Sequence, residues 1–423
     1  PVERKASGST RMNTVQDWIR ISLGRCPGFD WSMLMGEEHF LYRRIADRDR
    51  AVLAVGCAQT IEAPVFGEDA RAMTWVFGAL RYEWKDVLFH GRGTDGDHCR
   101  WWVPRFVVEW RGDEVLLHTP KADEQVARSW AERAFVGQPR ATAPLPPLVW
   151  MRHAPPERYR AQVHRLLDHI QRGDIYEVNF CTSRSATAAT FDPFTAFESL
   201  LRRTDAPFAA FYRHGPCFAM CASPERFIAF DGHEVMGQPM KGTRPRYADE
   251  LRDRQAAEEL AADPKERSEN IMALDVMRHD LARIAARRSV CVEELCVVRS
   301  YPRVHQMIST VTARMRQVVS PMDVLRATFP MASMTGAPKY RAMQLIEETE
   351  EGPRGWFSGS FGFFAPDGTG DFNVIIRTLL YHADDRTLRL TTGSAITALC
   401  DPEAEYEECE VKARSVIDAL RDA

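Results

Sequence analysis

The sequence lacks any long hydrophobic run: its apolar stretches, such as residues 374–380, are short and interrupted by charge. A membrane span of ~20 apolar residues is therefore not expected. No apolar segment opens the chain either, since residues 1–11 are polar and basic. They read as a loose arm rather than a signal peptide, and cytoplasm is the expected location. Charge of one sign is not in excess, with a formal net charge of −4. Neither nucleic acid nor an anionic membrane is thus an expected partner. Ten cysteines contain no CxxC pair, which excludes both a disulfide framework and a zinc pattern. Free thiols serving as small apolar side chains are expected instead. Repeats and low-complexity tracts are also missing.

One cysteine has a suggestive setting. Gly24-Arg25-Cys26-Pro27-Gly28 has the G-x-C-x-G form of an amidotransferase nucleophile elbow. Such an elbow follows a buried strand and opens a helix, whereas Cys26 has a short polar lead and a proline behind it. Coincidence is the better reading.

What is present is ordinary globular composition, 45% hydrophobic and 27% charged over 423 residues. That length calls for a split core or two closely packed halves. Residues 1–150 read as strand-rich, with runs at 51–58 and 73–80 and a hairpin turning at Arg111-Gly112-Asp113. A Pro- and Ala-rich stretch at 138–147 marks the expected boundary with residues 151–423. Beyond it, Tyr159, Val163, Leu166, Leu167 and Ile170 recur at helical spacing and Gly173 supplies the stop. A strand over 175–181 follows. Residues 227–236 form a hairpin centred on Asp231-Gly232, a dipeptide suited to a type I′ turn. Asp263-Pro264 and Asp401-Pro402 each place an N-cap before a first-turn proline, and Thr335 to Pro338 opens another helix. A meander spans 359–396. The mixture predicts an α+β fold built on a large antiparallel β-sandwich flanked by helices.

Both Asp-Pro helices carry E-x-x-E, so Glu266 and Glu269 share one face, as do Glu405 and Glu408. Solvated acids complementing the helix dipole account for either pair alone. If the pairs converged they would need a cation, and oxygen ligands suit Mg²⁺. Arg377 interrupts the run 372–380 on the face of Asn373 and Ile375; an internal carboxylate and a substrate carboxylate are equally good partners. Lys241 lies in a short loop beside Gly242, where a surface lysine is the plain reading.

Taken in order, G-D-I-Y-E-V-N-F (173–180), S-P-E-R-F (223–227), P-M-K-G-T-R-P-R (239–246), D-P-K-E-R-S-E-N (263–270), V-H-Q-M-I-S-T-V (304–311), S-M-T-G-A-P-K (333–339), D-F-N-V-I-I-R-T (371–378) and D-P-E-A-E-Y-E-E (401–408) resemble the chorismate-utilising enzymes. Within that family the resemblance is to the aminodeoxychorismate synthase component I branch. Residues 1–150 match more loosely, as the family's variable N-terminal half does. The resemblance implies conversion of chorismate plus ammonia to 4-amino-4-deoxychorismate, a precursor of para-aminobenzoate and folate. It further implies Mg²⁺ held directly by Glu269 and Glu408, with Glu266 and Glu405 beside them. Gly242, Thr243, His305, Thr335, Arg377, Gly393 and Lys412 would contact substrate. Glu225 would protonate the departing 4-hydroxyl, which requires a raised pKa. Lys241 would attack C2 as a neutral amine, which requires a lowered one.

Departures from the family pattern are informative. Glu177 stands where water-using relatives place a lysine base and ammonia-using ones commonly a glutamine, which argues against isochorismate or salicylate synthesis. Phe357 replaces a common tyrosine, and Gly393-Ser394-Ala395 a more glycine-rich run. Anthranilate synthase component I is the nearest rival, but that branch usually carries alanine at the position of Lys241. A non-catalytic chorismate-binding protein is a poorer alternative, given the retained Glu225, Lys241, Arg377 and both glutamate pairs. With no credible amidotransferase half in the sequence, a separate glutamine amidotransferase subunit, component II, is the expected ammonia source.

Overall fold

The computed structural model describes residues 17–26, 28–136 and 144–421. The basic arm at 1–11 and most of the Pro/Ala-rich stretch lie outside the described residues.

Two antiparallel sheets of twelve and ten strands dominate. The first runs from Trp18–Gly24 at one edge, through His39–Ile45 and Ala210–His214, to Thr387–Thr397, Glu177–Thr187 and the short Gly336–Ala337 at the other. The second runs from Met240–Pro245 and Val304–Arg314, through Arg226–Asp231 and Thr369–Asn373, to Val76–Leu80 and Gln59–Ile61. Strands from before and after residue 150 thus pair side by side in both sheets. Leu41, Val52, Phe77, Phe361 and Ile375 pack between the sheets in one apolar layer. Outside the first sheet lie the helices Pro193–Thr204 and Pro402–Arg421; outside the second lie Pro264–Ala282 and Pro321–Thr328. This is the expected α+β sandwich with helices on its outer faces.

A buried ionic chain crosses the inter-sheet layer. Arg43 from the first sheet donates to Asp371 Oδ1 at 2.7 Å, and Arg226 from the second donates to Asp371 Oδ2 at 2.8 Å. Arg226 also grips Asp47 with two bonds of 2.6 Å. Arg226 and Asp371 belong to the S-P-E-R-F and D-F-N motifs, so part of those motifs holds the sheets together rather than acting on substrate.

Two expectations are corrected and one helix goes unanticipated. The 227–236 hairpin turns one residue later than read: Asp231 pairs with Glu234, leaving Gly232 and His233 at the centre with only Gly232 at positive φ (56°). The run 372–380 is two strands in different sheets, Thr369–Asn373 and Thr378–His382, because the chain crosses between sheets there. The helix Glu250–Ala262, capped by Asp249, lacked a readable apolar stripe because only Ala256 and Leu260 are buried. Cys26 lies in the loop after Trp18–Gly24, where the next helical element is a short 3₁₀ turn at Trp31–Leu34, so no elbow forms there.

Candidate active site

The acidic helix starts form as their caps dictate. Asp263 accepts from the backbone N–H groups of Lys265 (3.0 Å) and Glu266 (3.2 Å), and Asp401 accepts from Ala404 (2.8 Å). Each cap aims the following E-x-x-E pair toward the other helix. The two pairs do converge: Lys265 of the first helix donates to Glu405 Oε1 of the second at 2.8 Å and lies 3.9 Å from Glu269 Oε1. Glu266 is raised above its ordinary value by burial and by the facing charge of Glu408. Burial, with the charge of Glu177 adding and that of Lys241 opposing, pushes Glu269 up to about 7. Glu269 Oε1 and Glu405 Oε2 are buried with no hydrogen-bond partner. Crowded carboxylates with orphaned oxygens are the donor set a hard divalent cation satisfies, so these residues fit Mg²⁺. Glu408 is more open, 43% exposed at its side chain, and is held by Lys412 at 2.6 Å.

Lys241 enters from the strand Met240–Pro245. The strand bulges at Gly242, which takes φ +80°. A Cβ there would come within 3.0 Å of Glu266 Oε2, so glycine lets the loop lie against the acidic helix. Lys241 Nζ donates to Glu177 Oε1 at 2.5 Å and stands 3.8 Å from Glu269 Oε2. Glu177 comes from the other sheet, so the site bridges both. Here the structure overturns the expected lowered lysine pKa. Burial alone would lower it, but Glu177, Glu269 and Glu225 outweigh burial and hold the ammonium well above its ordinary value.

Glu225 behaves as expected. It is buried at the start of Arg226–Asp231, and burial pushes it up to about 7 against the opposing effects of Ser333 and Lys241. Ser333 Oγ donates to its Oε1 at 2.7 Å. Beyond Ser333, Gly336 lets the chain press on Glu177, since a Cβ would lie 2.1 Å from the Glu177 carbonyl oxygen.

The remaining residues differ in what they leave open. Arg377 sits at the sheet crossover with φ 52°, a left-handed conformation unusual for a non-glycine residue. It donates to Ser415 Oγ at 3.5 Å, and among the described residues no carboxylate forms an ion pair with it. Lys412 donates to the Gly393 carbonyl at 2.8 Å, and a Cβ on Gly393 would lie 2.6 Å from Cys181 Sγ. Thr335 is buried, its hydroxyl donating to the Met331 carbonyl at 3.0 Å. Thr243 pairs with Gln306 across the strands, on the far side of the Gly242 bulge from Lys241. His305 is committed on both ring nitrogens, to Ser300 at 2.8 Å and Asp253 at 3.0 Å, under the helix Glu250–Ala262. The structure therefore gathers Lys241, Glu177, Glu225 and the four helix glutamates, with Lys412 beside Glu408, while both ring nitrogens of His305 are taken by Ser300 and Asp253.

Sequence reading missed Ser333 and Lys265. Ser333 stood in a quoted motif, but its partner is 108 residues away. Lys265 carried a usable signal: a cation in a helix first turn opposes the dipole and wants a specific reason. An open cleft of about 680 Å³, lined by Tyr42, Arg44, Arg202, Asp205 and Arg303 among others, shares no residue with this cluster.

With fold and site in place, residues 39–418 match the family model for chorismate binding enzymes. The chain belongs to that family. Among relatives, it is 38% identical over 84% of its length to the aminodeoxychorismate synthase of Streptomyces griseus, of which it spans 51%. It is 38% identical to aminodeoxychorismate synthase component 1 of Klebsiella aerogenes, over 74% of this chain and 68% of that one. Anthranilate synthase component 1 of Thermus thermophilus is 36% identical over 73% of this chain and 68% of its own. The fold is also that of the menaquinone-specific isochorismate synthase of Escherichia coli, with TM-score 0.78 at 18% identity over 96% of this chain and 94% of that one. The chain thus spans about half the length of the first curated relative it matches.

Proposed function

We propose that this chain aminates chorismate at C4, as an aminodeoxychorismate synthase component I, with residues 151–423 carrying the site and residues 1–150 completing the sandwich. The observation that carries this is the placement of Lys241: a buried lysine at the centre of the acidic cluster, 2.5 Å from a carboxylate that can take its proton. A second reading, anthranilate synthesis, draws on the Thermus relative, but offers no use for a lysine at that point.

Glu269 and Glu408, with Glu266 and Glu405, would hold Mg²⁺, which when bound would neutralise the cluster and bind a substrate carboxylate. Arg377, without an ionic partner of its own, suits another substrate carboxylate. Glu225, protonated near neutrality, delivers its proton to the 4-hydroxyl, which leaves as water. Lys241, held as an ammonium in the substrate-free protein, must lose a proton, with Glu177 the hydrogen-bonded acceptor, before its neutral amine bonds to C2 as the C4–O bond breaks. Ammonia then bonds to C4 and the C2–N bond to Lys241 breaks, returning the lysine. Ammonia from glutamine would come from a separate amidotransferase component, a reading supported by the "component 1" name of the Klebsiella relative. Action in the cytoplasm is part of this reading, and no helix among the described residues is long and apolar enough to cross a membrane.

The test is incubation with chorismate, Mg²⁺ and ammonium followed by product identification. Aminodeoxychorismate is expected; anthranilate plus pyruvate would establish the second reading, and no product would overturn both.

A further inference from the structure

Lys265 occupies an unfavourable place for a cation. It lies in the first turn of Pro264–Ala282, where the helix dipole repels positive charge and favours the neighbouring glutamates. Its side chain reaches across to the other helix, donating to Glu405 Oε1 at 2.8 Å with Glu269 Oε1 at 3.9 Å. Those two carboxylates are 2% and 6% exposed at their side chains, and each also carries a buried oxygen with no hydrogen-bond partner. Lys265 itself is 44% exposed, so its stem has solvent on one side into which it can swing.

From this geometry we infer that Lys265 is a tethered counter-ion that occupies the carboxylate cluster when no divalent cation is bound, and that Mg²⁺ enters by displacing its ammonium into solvent. The inference rests on the metal reading given above. An ammonium 2.8 Å from Glu405 and a divalent ion drawing on Glu405 and Glu269 compete for the same oxygens, and the two cations repel. Substrate-free protein therefore keeps the cluster partly neutralised and ordered, and the apparent Mg²⁺ affinity is reduced by the fraction of molecules in which the lysine is seated.

Calorimetric titration of the folded chain with MgCl₂ at fixed ionic strength tests this. Lys265→Met is expected to tighten the Mg²⁺ Kd by about tenfold or more, while Lys265→Arg, which keeps charge and reach, stays within a few-fold of the parent. A second readout needs no variant: acetylation of Lys265, followed by peptide mass spectrometry, should rise several-fold when Mg²⁺ is added and the amine is released. An unchanged or weaker Kd in Lys265→Met, or Lys265 labelling indifferent to Mg²⁺, would overturn the inference. If Glu269→Gln abolishes Mg²⁺ binding in the same experiment, the metal reading survives that failure. If Glu269→Gln binds Mg²⁺ like the parent, the metal reading falls and takes the inference with it.

Discussion

Lys241 Nζ and Glu177 Oε1 lie 2.5 Å apart, with the two side chains 10% and 3% exposed. The proposed nucleophile and its proposed proton acceptor thus come from different sheets and meet only in the folded chain. Lys241→Ala should leave chorismate affinity within a few-fold and remove at least ~10² of turnover. With chorismate and Mg²⁺ but no ammonia, mass spectrometry should find an adduct on the peptide bearing Lys241. Near-normal kcat in the alanine variant together with no adduct would reduce the lysine to a binding residue.

Metal dependence should be visible without turnover. Mg²⁺ at about 100 times its Kd should stabilise the protein by about 2.7 kcal/mol, read as a rise in Tm. Glu269→Gln and Glu408→Gln should fold, lose that rise and lose activity. Full activity of either variant in excess chelator would refute the assignment.

The pH profile follows from Glu225. Its folded pKa of about 7 lies above its ordinary value of 4.5, so the folded protein binds this proton more tightly. The stability due to that proton is present below about pH 4.5 and is lost as pH rises through 7. Activity follows the same proton: with Mg²⁺ saturating, kcat/KM should fall above about pH 7, and Glu225→Gln should cost about 10² or more and erase that limb. An alkaline limb unchanged in the glutamine variant would assign it to another group.

Asp371 is predicted to matter to stability alone. Asp371→Asn leaves the buried Arg43 without an ionic partner, while Arg226 keeps Asp47, and breaking such a buried pair costs about 3–5 kcal/mol. Urea unfolding should show that loss while the folded fraction keeps its kcat. A drop in kcat without loss of stability would place Asp371 in the catalytic network instead.

What the sequence revealed was governed by distance along the chain. The Asp-Pro caps, the E-x-x-E faces and the Gly173 stop are local signals, and each stands where it was read. The charge state of Lys241 was misread because its cause, Glu177, is 64 residues away and on another sheet. Arg377 read as a strand residue because its neighbours are β-branched; only the crossover between sheets forces φ to 52°. The contact of His305 with Asp253 could not be read, because Asp253 lies on a helix with too few buried positions to announce itself.

The interleaving of the two sheets has a consequence for how the protein is made. Glu177–Thr187 finds its partner in Thr387–Thr397, and Ala210–His214 pairs back to His39–Ile45. During synthesis the early strands must wait, edges unpaired, until most of the chain has emerged, a situation that favours slow folding and transient association. Glu405 and Glu408 are made after the other glutamates of the site, so a nascent or truncated chain lacking Pro402–Arg421 has only two of the four helix glutamates. Competence for chemistry is thereby tied to completion of the fold.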